Sequence, residues 1–304
     1  MDRFRDLETF VAVAETGGFA TAAQRLKASP PAVTRIIAGL EQRLGAALFT
    51  RSTRQVRLTE AGQRLLVRAQ SLLSDLELAE GEVAGANAVP AGHLTITAPV
   101  TMGRLLMPSL LTGFLKAHDR ITANVVLLDR ISNLIEDGVD VALRVGQLPD
   151  STLIARHVGE VRRMLVASPA YLRKHGRPKK PTDLKQHTFI AFNGLMPNAD
   201  WSANAGFPKS LKSPLEFNDA SAAIAAVEAG EGITIAWSYL AAPRVRDGTL
   251  VQILPAAWPP AVPVQLVYPE SRLVASKVRA FVDYAAPNLR AALLERRLTP
   301  RHPR

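Results

Sequence analysis

SPPAVTRIIAGLEQRLGAALFTRSTRQVRLTEAG, from Ser29 to Gly62, joins a helix start, an apolar stripe and a run of arginines in one segment. The Ser29 hydroxyl suits the orphan N–H groups of a first turn, and Pro30 and Pro31 fit where a missing N–H costs nothing, so a helix is expected from about Pro30. Val33, Ile36, Ile37, Leu40 and Leu44 then recur at helical steps and predict one buried stripe. The opposite face carries Pro31, Thr34, Arg35 and Ala38, side chains that are small, hydroxylated or cationic and so able to approach a nucleic-acid groove. Gly45 stops the helix, and Leu48 and Phe49 bring the chain back to the core before Arg51, Arg54 and Arg57. Between Arg25 and Arg57, Arg25, Lys27, Arg35, Arg43, Arg51, Arg54 and Arg57 face one acid, Glu41, a surplus of six positive charges. A solvated face serving solubility is the plain alternative for such a run.

Upstream, Phe4, Leu7, Phe10, Val11 and Ala14 mark an apolar face that ends at Gly17 and Gly18. Thr21–Leu26 reads as a short second helix with Ala22, Ala23 and Leu26 inward, and Lys27-Ala28-Ser29 turns into the helix above. Three short helices with a tight second connection match the helix-turn-helix plan, in which the third reads the major groove. A small helical bundle would show the same periodicity. Thr50–Leu58 alternates exposed and apolar positions and reads as a β-wing carrying arginines.

The full chain has 304 residues, room for about two domains, with 47% hydrophobic residues, a net charge of +10 and a pI near 10.3, which favour an acidic partner. It has no cysteine, which excludes disulfides, thiol catalysis and cysteine-ligated zinc. The first residues, MDRFRDLETFVAVAETGGFATAA, carry interspersed acids and no long apolar run, so neither a signal peptide nor a membrane span is expected and the protein reads as cytoplasmic.

Residues 4–64 resemble the DNA-binding domain of LysR-type transcriptional regulators, through FVAVAETGGFATAAQRL, SPPAVTRIIAGLEQRLGAALFTRS and LTEAG in order. The resemblance implies that Pro30, Pro31, Thr34 and Arg35 face the DNA groove, that Thr21 meets a phosphate, and that Arg51 and Arg54 belong to the wing. Many family members carry glutamine at the position of Pro30, and proline has no side-chain donor for a base. Readout then rests more on Thr34, Arg35 and DNA shape.

Thr59–Ala88 is one long helical pattern, with Leu65, Ala69, Leu72, Leu76, Ala79 and Val83 at alternating steps of four and three. Such a heptad seam predicts dimerisation, as the resemblance also implies; packing of this helix on the C-terminal domain is the alternative. A homotetramer is implied by the resemblance alone. Gly81 and Gly85 lead a linker to Gly92, after which strands and helices alternate: strands at 93–100, 123–128, 139–145, 161–167, 189–192, 232–236 and 262–268, helices at 104–117, 131–137, 169–175, 220–229 and 274–296. That alternation predicts parallel sheets in two lobes joined by two crossings, near Val161 and Tyr268, around a ligand cleft. The expected fold is therefore α/β with an all-α amino-terminal part: a winged helix-turn-helix domain (1–59), a linker and dimerisation helix (60–88), and a two-lobed, periplasmic-binding-protein-like α/β effector domain (89–304), lobe I being 92–160 and 269–304 and lobe II 161–268.

DRISNLIEDGVDVALRVGQLPDS (129–151), EAGEGITIAW (228–237) and DGTLVQILP (247–255) resemble the effector-binding part of the same family. By position, the resemblance places Thr101, Met102, Arg144, Val145, Asn193 and Asp219 at the cleft. Thr101, where a helix begins, and Arg144 suit a carboxylate, which makes an organic or aromatic acid the expected effector. Capping by Thr101 or Asp219 and an ion pair at Arg144 are the plain rivals. The six histidines are scattered without metal-ligand spacing, Gly230-Glu231-Gly232 follows a helix and precedes a strand, the reverse of a dinucleotide fingerprint, and no Walker or nucleophile-elbow motif occurs. No metal, cofactor, catalytic residue or membrane partner is expected. A regulator that joins double-stranded promoter DNA, a small-molecule effector and a second copy of itself accounts for all three parts. A two-domain α/β enzyme or a small-molecule-binding protein with a helical appendage leaves the first ninety residues without a role.

Overall fold

In the computed structural model the described residues are 2–51, 56–84, 89–130, 133–135, 137–148, 153–192, 208, 211–273 and 275–297. Helix α1 (Arg3–Thr16) starts on the Asp2 carboxylate, which accepts from the Phe4 and Arg5 amides at 3.1 and 3.2 Å. Helix α2 (Phe19–Arg25) begins two residues earlier than its composition suggested. Helix α3 (Pro30–Leu44) opens on the Ser29 hydroxyl, which accepts from Ala32 N at 3.4 Å, and closes on Gly45 at φ +66°, a left-handed conformation glycine adopts without strain. Strands β1 (Phe49–Arg51) and β2 (Val56–Leu58) pair antiparallel as the wing.

Phe10, Val13, Ala22, Ala23, Val33, Ile37, Leu40, Leu48 and Phe49 close into one core, with the Phe10 and Phe49 rings 5.4 Å apart. Phe4 and Leu44 depart from the expected stripes: they lie in end turns of α1 and α3 and stay 44% and 47% exposed.

Helix α4 (Glu60–Ala84) runs past Gly81, where the linker was expected to begin; residues 85–88 lie outside the described ones. The expected seam divides along it. Ala69 is wholly buried and Leu65 packs against the same head core, because α1 lies on α4 and uses the first half of the stripe. Val67 and Leu72 remain 41% and 52% exposed.

Two five-stranded sheets follow. The first, in order β4-β3-β5-β12-β6, comprises β3 (Gly92–Ala98), β4 (Ile121–Leu127), β5 (Val141–Val145), β6 (Leu153–Val161) and β12 (Val262–Pro269). The second, in order β11-β7-β10-β8-β9, comprises β7 (Arg163–Ala167), β8 (Thr188–Phe192), β9 (Lys212–Phe217), β10 (Ile233–Trp237) and β11 (Val251–Ile253). Among the described residues there are also helices α5 (Val100–Ala117), α6 (Pro169–His175), α7 (Ala220–Glu228), α8 (Ser238–Arg246), α9 (Glu270–Leu273) and α10 (Ser276–Glu295).

The sheets are mixed rather than parallel. Strand β12 runs antiparallel to β5 and β6, and β7 runs antiparallel to β10 and β11. Strand β12 therefore belongs to the first sheet, not to an expected lobe II of 161–268, and the return crossing precedes Val262 rather than falling near Tyr268.

One buried cluster runs through both sheets. Asp140 stitches β5 onto β3: its amide donates to Thr95 O and its Oδ2 accepts from Thr95 N, at 2.9 and 2.8 Å. It is buried with Arg272 and Lys277, whose nitrogens lie 3.7 and 3.9 Å from its carboxylate oxygens.

Candidate nucleic-acid interface and interlobe cleft

On α3 the residues Pro30, Pro31, Arg35 and Ala38 are exposed and form a low, proline-started ridge with one long cation. Thr34 is half-buried and donates its hydroxyl to Pro30 O at 3.0 Å, which leaves it as an acceptor toward anything outside. Thr21 is exposed, but its hydroxyl donates to Gly18 O at 2.9 Å, so a phosphate would receive that proton only if the bond broke. Arg51 closes β1, its side chain lying outside the described part of the structure, and Arg54 falls outside the described residues altogether.

Among the described residues, Arg25 and Arg43 of the cations counted in the sequence are spent internally. Arg25 pairs with Glu15 at 2.6 Å and Arg43 with Asp6 at 3.0 Å, which reduces the charge available to a polyanion. Glu41, the single acid of that stretch, accepts from Leu48 N and Phe49 N at 2.8 and 3.2 Å and so fixes where the wing begins. Gly62 completes the anchor: a Cβ there would lie 2.2 Å from Leu48 O. Together these contacts hold the wing beside α3 rather than letting it swing.

Between the two sheets, α5 starts at Val100 straight after β3, with Pro99 as its cap residue and no side-chain cap. Thr101 is the second helical residue and half-buried, so it is not the cap. Val100 N donates to Asp129 Oδ1 at 3.0 Å, and a carboxylate from the chain itself thus occupies part of the helix start. Met102 corrects the sequence expectation: it is wholly buried in the core, because the residue after Thr101 turns inward on a helix packed against the sheet. Arg144 and Val145 end β5 and are half-buried, and burial draws the Arg144 guanidinium below its ordinary pKa while leaving it charged. Asn193 lies outside the described residues.

Asp219 takes the capping role weighed for it and adds an ion pair that was not foreseen. It caps α7 by accepting from Ala222 N at 2.9 Å, and its other oxygen accepts from Arg104 of α5 at 3.1 Å, joining a helix of one sheet to a helix of the other.

Sequence reasoning missed Arg104, Asp129, Arg163, Trp237 and Tyr239. Arg163 lies over the Trp237 ring at 5.2 Å, opposite it in the β7–β10 register, and the Trp237 and Tyr239 rings stack at 6.5 Å. Burial, with the nearby charge of Asp129, pushes the Tyr239 hydroxyl upward, so it stays protonated as a donor. Only the pairing of 163 with 237 reveals this aromatic edge, and no sequence spacing carries it. A cavity of about 370 Å³ lies elsewhere, where the head meets the first sheet, lined by Glu15, Arg25, Leu73, His93, Asp140 and Lys277 among others. Among the described residues no cluster of metal-ligating side chains occurs, and no helix is long and apolar enough to cross a membrane.

Comparison with known proteins matches both parts. Residues 4–63 match the bacterial regulatory helix-turn-helix protein family, lysR family, and residues 87–290 match the LysR substrate binding domain. An HTH-type transcriptional repressor of Pseudomonas aeruginosa is 35% identical over 99% of this chain and 96% of its own length. The HTH-type transcriptional regulator CrgA of Neisseria meningitidis is 33% identical over 93% of this chain and 96% of its own. The solved structure of CrgA, a LysR-type transcriptional regulator, superposes with a TM-score of 0.61 at 32% identity, covering 94% of this chain and 98% of that one. The full-length virulence activator AphB of Vibrio cholerae gives a TM-score of 0.57 at 27% identity, covering 93% and 98%.

Proposed function

Since the chain belongs to the LysR family of transcriptional regulators, with a helix-turn-helix head that binds promoter DNA and a domain that takes a small-molecule effector, we propose how its own residues divide that work. The exposed ridge of α3 enters the major groove, with Arg35 as the base-reading cation and Pro30, Pro31 and Thr34 as close contacts to backbone and groove wall. Thr21, Arg51 and Arg54 meet phosphates on either side. The supporting observation is the pairing of Ser29 capping with the Glu41 and Gly62 anchors, which fixes ridge and wing as one rigid unit. The head is residues 1–59, α4 carries the contact to a second copy, and the remainder binds the effector.

The effector enters between the two sheets, against Thr101, Arg144, Val145 and Asp219. A carboxylate on it is received by Arg144, since Asp129 already takes the first amide of α5. The Arg104–Asp219 bridge closes the mouth, and an occupant alters the relative arrangement of the paired heads by binding one arrangement better than the other. No catalytic step is part of this reading. Footprinting on an isolated operator tests the division: Arg144→Ala should keep the footprint and lose its response to inducing acids, and Arg35→Ala should lose sequence preference. Loss of the footprint by Arg144→Ala would contradict it.

A further inference from the structure

Half of the net charge of the chain sits far from the head in sequence. Residues 173–187 carry Arg173, Lys174, Arg177, Lys179, Lys180 and Lys185 against one acid, Asp183, a surplus of five out of the total of +10. Residues 1–59, the head itself, hold nine cations and five acids, a surplus of only four. All six cations of 173–187 are exposed, and among the described residues none of them pairs with a carboxylate. Other arginines do pair: Arg25 with Glu15, Arg104 with Asp219 and Arg244 with Glu228. Asp183 is engaged by its own loop, where its Oδ2 accepts from Lys179 N and Lys180 N at 2.9 and 3.1 Å.

The cations stand on a fixed scaffold. Helix α6 opens on Ser168, whose hydroxyl accepts from Tyr171 N at 3.3 Å, and ends at Gly176 with φ +78°. Arg177 donates to Gln252 O at 2.6 Å and ties the loop to β11, Pro178 is buried, and Pro181 opens the 3₁₀ turn Pro181–Gln186. Tyr171 braces this surface from beneath, stacking on His175 at 4.5 Å and accepting from Thr188 N at 2.9 Å. Arg173 and Lys174 complement the carbonyl end of α6, which accounts for those two without any ligand. Lys179, Lys180 and Lys185 have no such role. A face that served solubility alone would be as well served by both signs interspersed, whereas a rigid field of one sign draws a polyanion.

We propose that this surface of the second lobe is a second, sequence-independent grip on duplex DNA, made through phosphates by Lys179, Lys180 and Lys185. The observation that selects DNA among polyanions is the head on the same chain. Once the head holds a duplex, a further contact is intramolecular, so a few lysine–phosphate contacts suffice where they would be too weak alone. The proposal rests on DNA binding by the head and is independent of the effector assignment. Lysines reaching phosphates carry no base information, so the grip adds affinity and leaves site choice to α3.

The test titrates the full-length protein, over a series of salt concentrations, against a genomic fragment that it retains, natural flanks included. Each phosphate contact contributes about 0.9 to the slope of log affinity against log salt. The combined variant Lys179→Gln, Lys180→Gln and Lys185→Gln should flatten that slope by about 2–3, so that wild type loses about 10- to 40-fold more affinity than the variant between about 50 and about 200 mM salt. Lys116→Gln, Arg130→Gln and Lys212→Gln remove the same charge at other exposed positions and should leave the slope as in wild type. Because the chain has no cysteine, Thr182→Cys at an exposed position takes a tethered iron chelate, which should cut the bound DNA. Arg35→Ala should lose sequence preference and still be cut from residue 182, so a failure of the head assignment is distinguishable from a failure of the grip. Equal slopes for wild type and the first triple variant, equal flattening by both triples, or no cutting from residue 182 would each overturn the proposal. Equal slopes together with a lost promoter response in cells would overturn it in favour of an acidic protein partner.

Discussion

Gly62 and Arg35 show how differently single residues act in this chain. At Gly62 any side chain meets the Leu48 carbonyl at 2.2 Å, so Gly62→Ala should destabilise the head by about 1–3 kcal/mol in chemical denaturation. Arg35 is exposed on α3, and Arg35→Ala should leave stability nearly unchanged. It should instead cost about 1–3 kcal/mol of discrimination between cognate and altered sites in competition binding. His187 adds a pH dependence. Buried at 6% exposure, 3.3 Å from the Tyr171 hydroxyl and near His175, it is held below the ordinary histidine range, first by burial. Its neutral form stabilises the fold above pH 6.5, and that contribution fades as pH falls through the lowered value. Urea unfolding followed against pH should show the decline, and His187→Gln should flatten the part due to this residue.

Helices with caps announced themselves in the sequence better than edge strands did, although α8 and α9 were not foreseen. Ser29, Pro30 and Gly45 marked both ends of α3 because caps are local chemistry. Strands β6, β9 and β11 escaped notice: all three are edge strands, LIARHVGEV and KSPLEF have exposed positions, VQI is only three residues long, and Pro214 breaks the usual strand signature. Strand direction was equally hidden, since antiparallel β12 returns from a distant part of the chain and no local pattern records that pairing. In α4 the heptad reading could not separate residues that face their own head from those left for a second copy. The structure leaves Val67 and Leu72 outside, so Leu72→Asp with Val67→Asp should shift the dimer to monomer in light scattering while the head stays folded. An unchanged mass would place the contact elsewhere.

Across the molecule, the candidate sites were legible in proportion to how local they are. The α3 ridge follows from one helix and its start; the cleft depends on groups far apart in sequence, and Arg104 with Asp219, or Asp129 with Val100, become partners only once both sheets are built. Met102 illustrates the limit: it adjoins Thr101 in sequence yet lies in the core. The net charge of +10 is also a poorer guide than it looks, because Arg25 and Arg43 are neutralised within the head. What remains must still give salt-dependent DNA affinity. The most direct test is to incubate the purified full-length protein with sheared genomic DNA at low and then moderate salt and to sequence what it retains. Enriched fragments sharing a two-fold symmetric motif, with retention falling as salt rises, are the predicted result; recovery no different from bulk DNA, or binding indifferent to salt, would contradict the account.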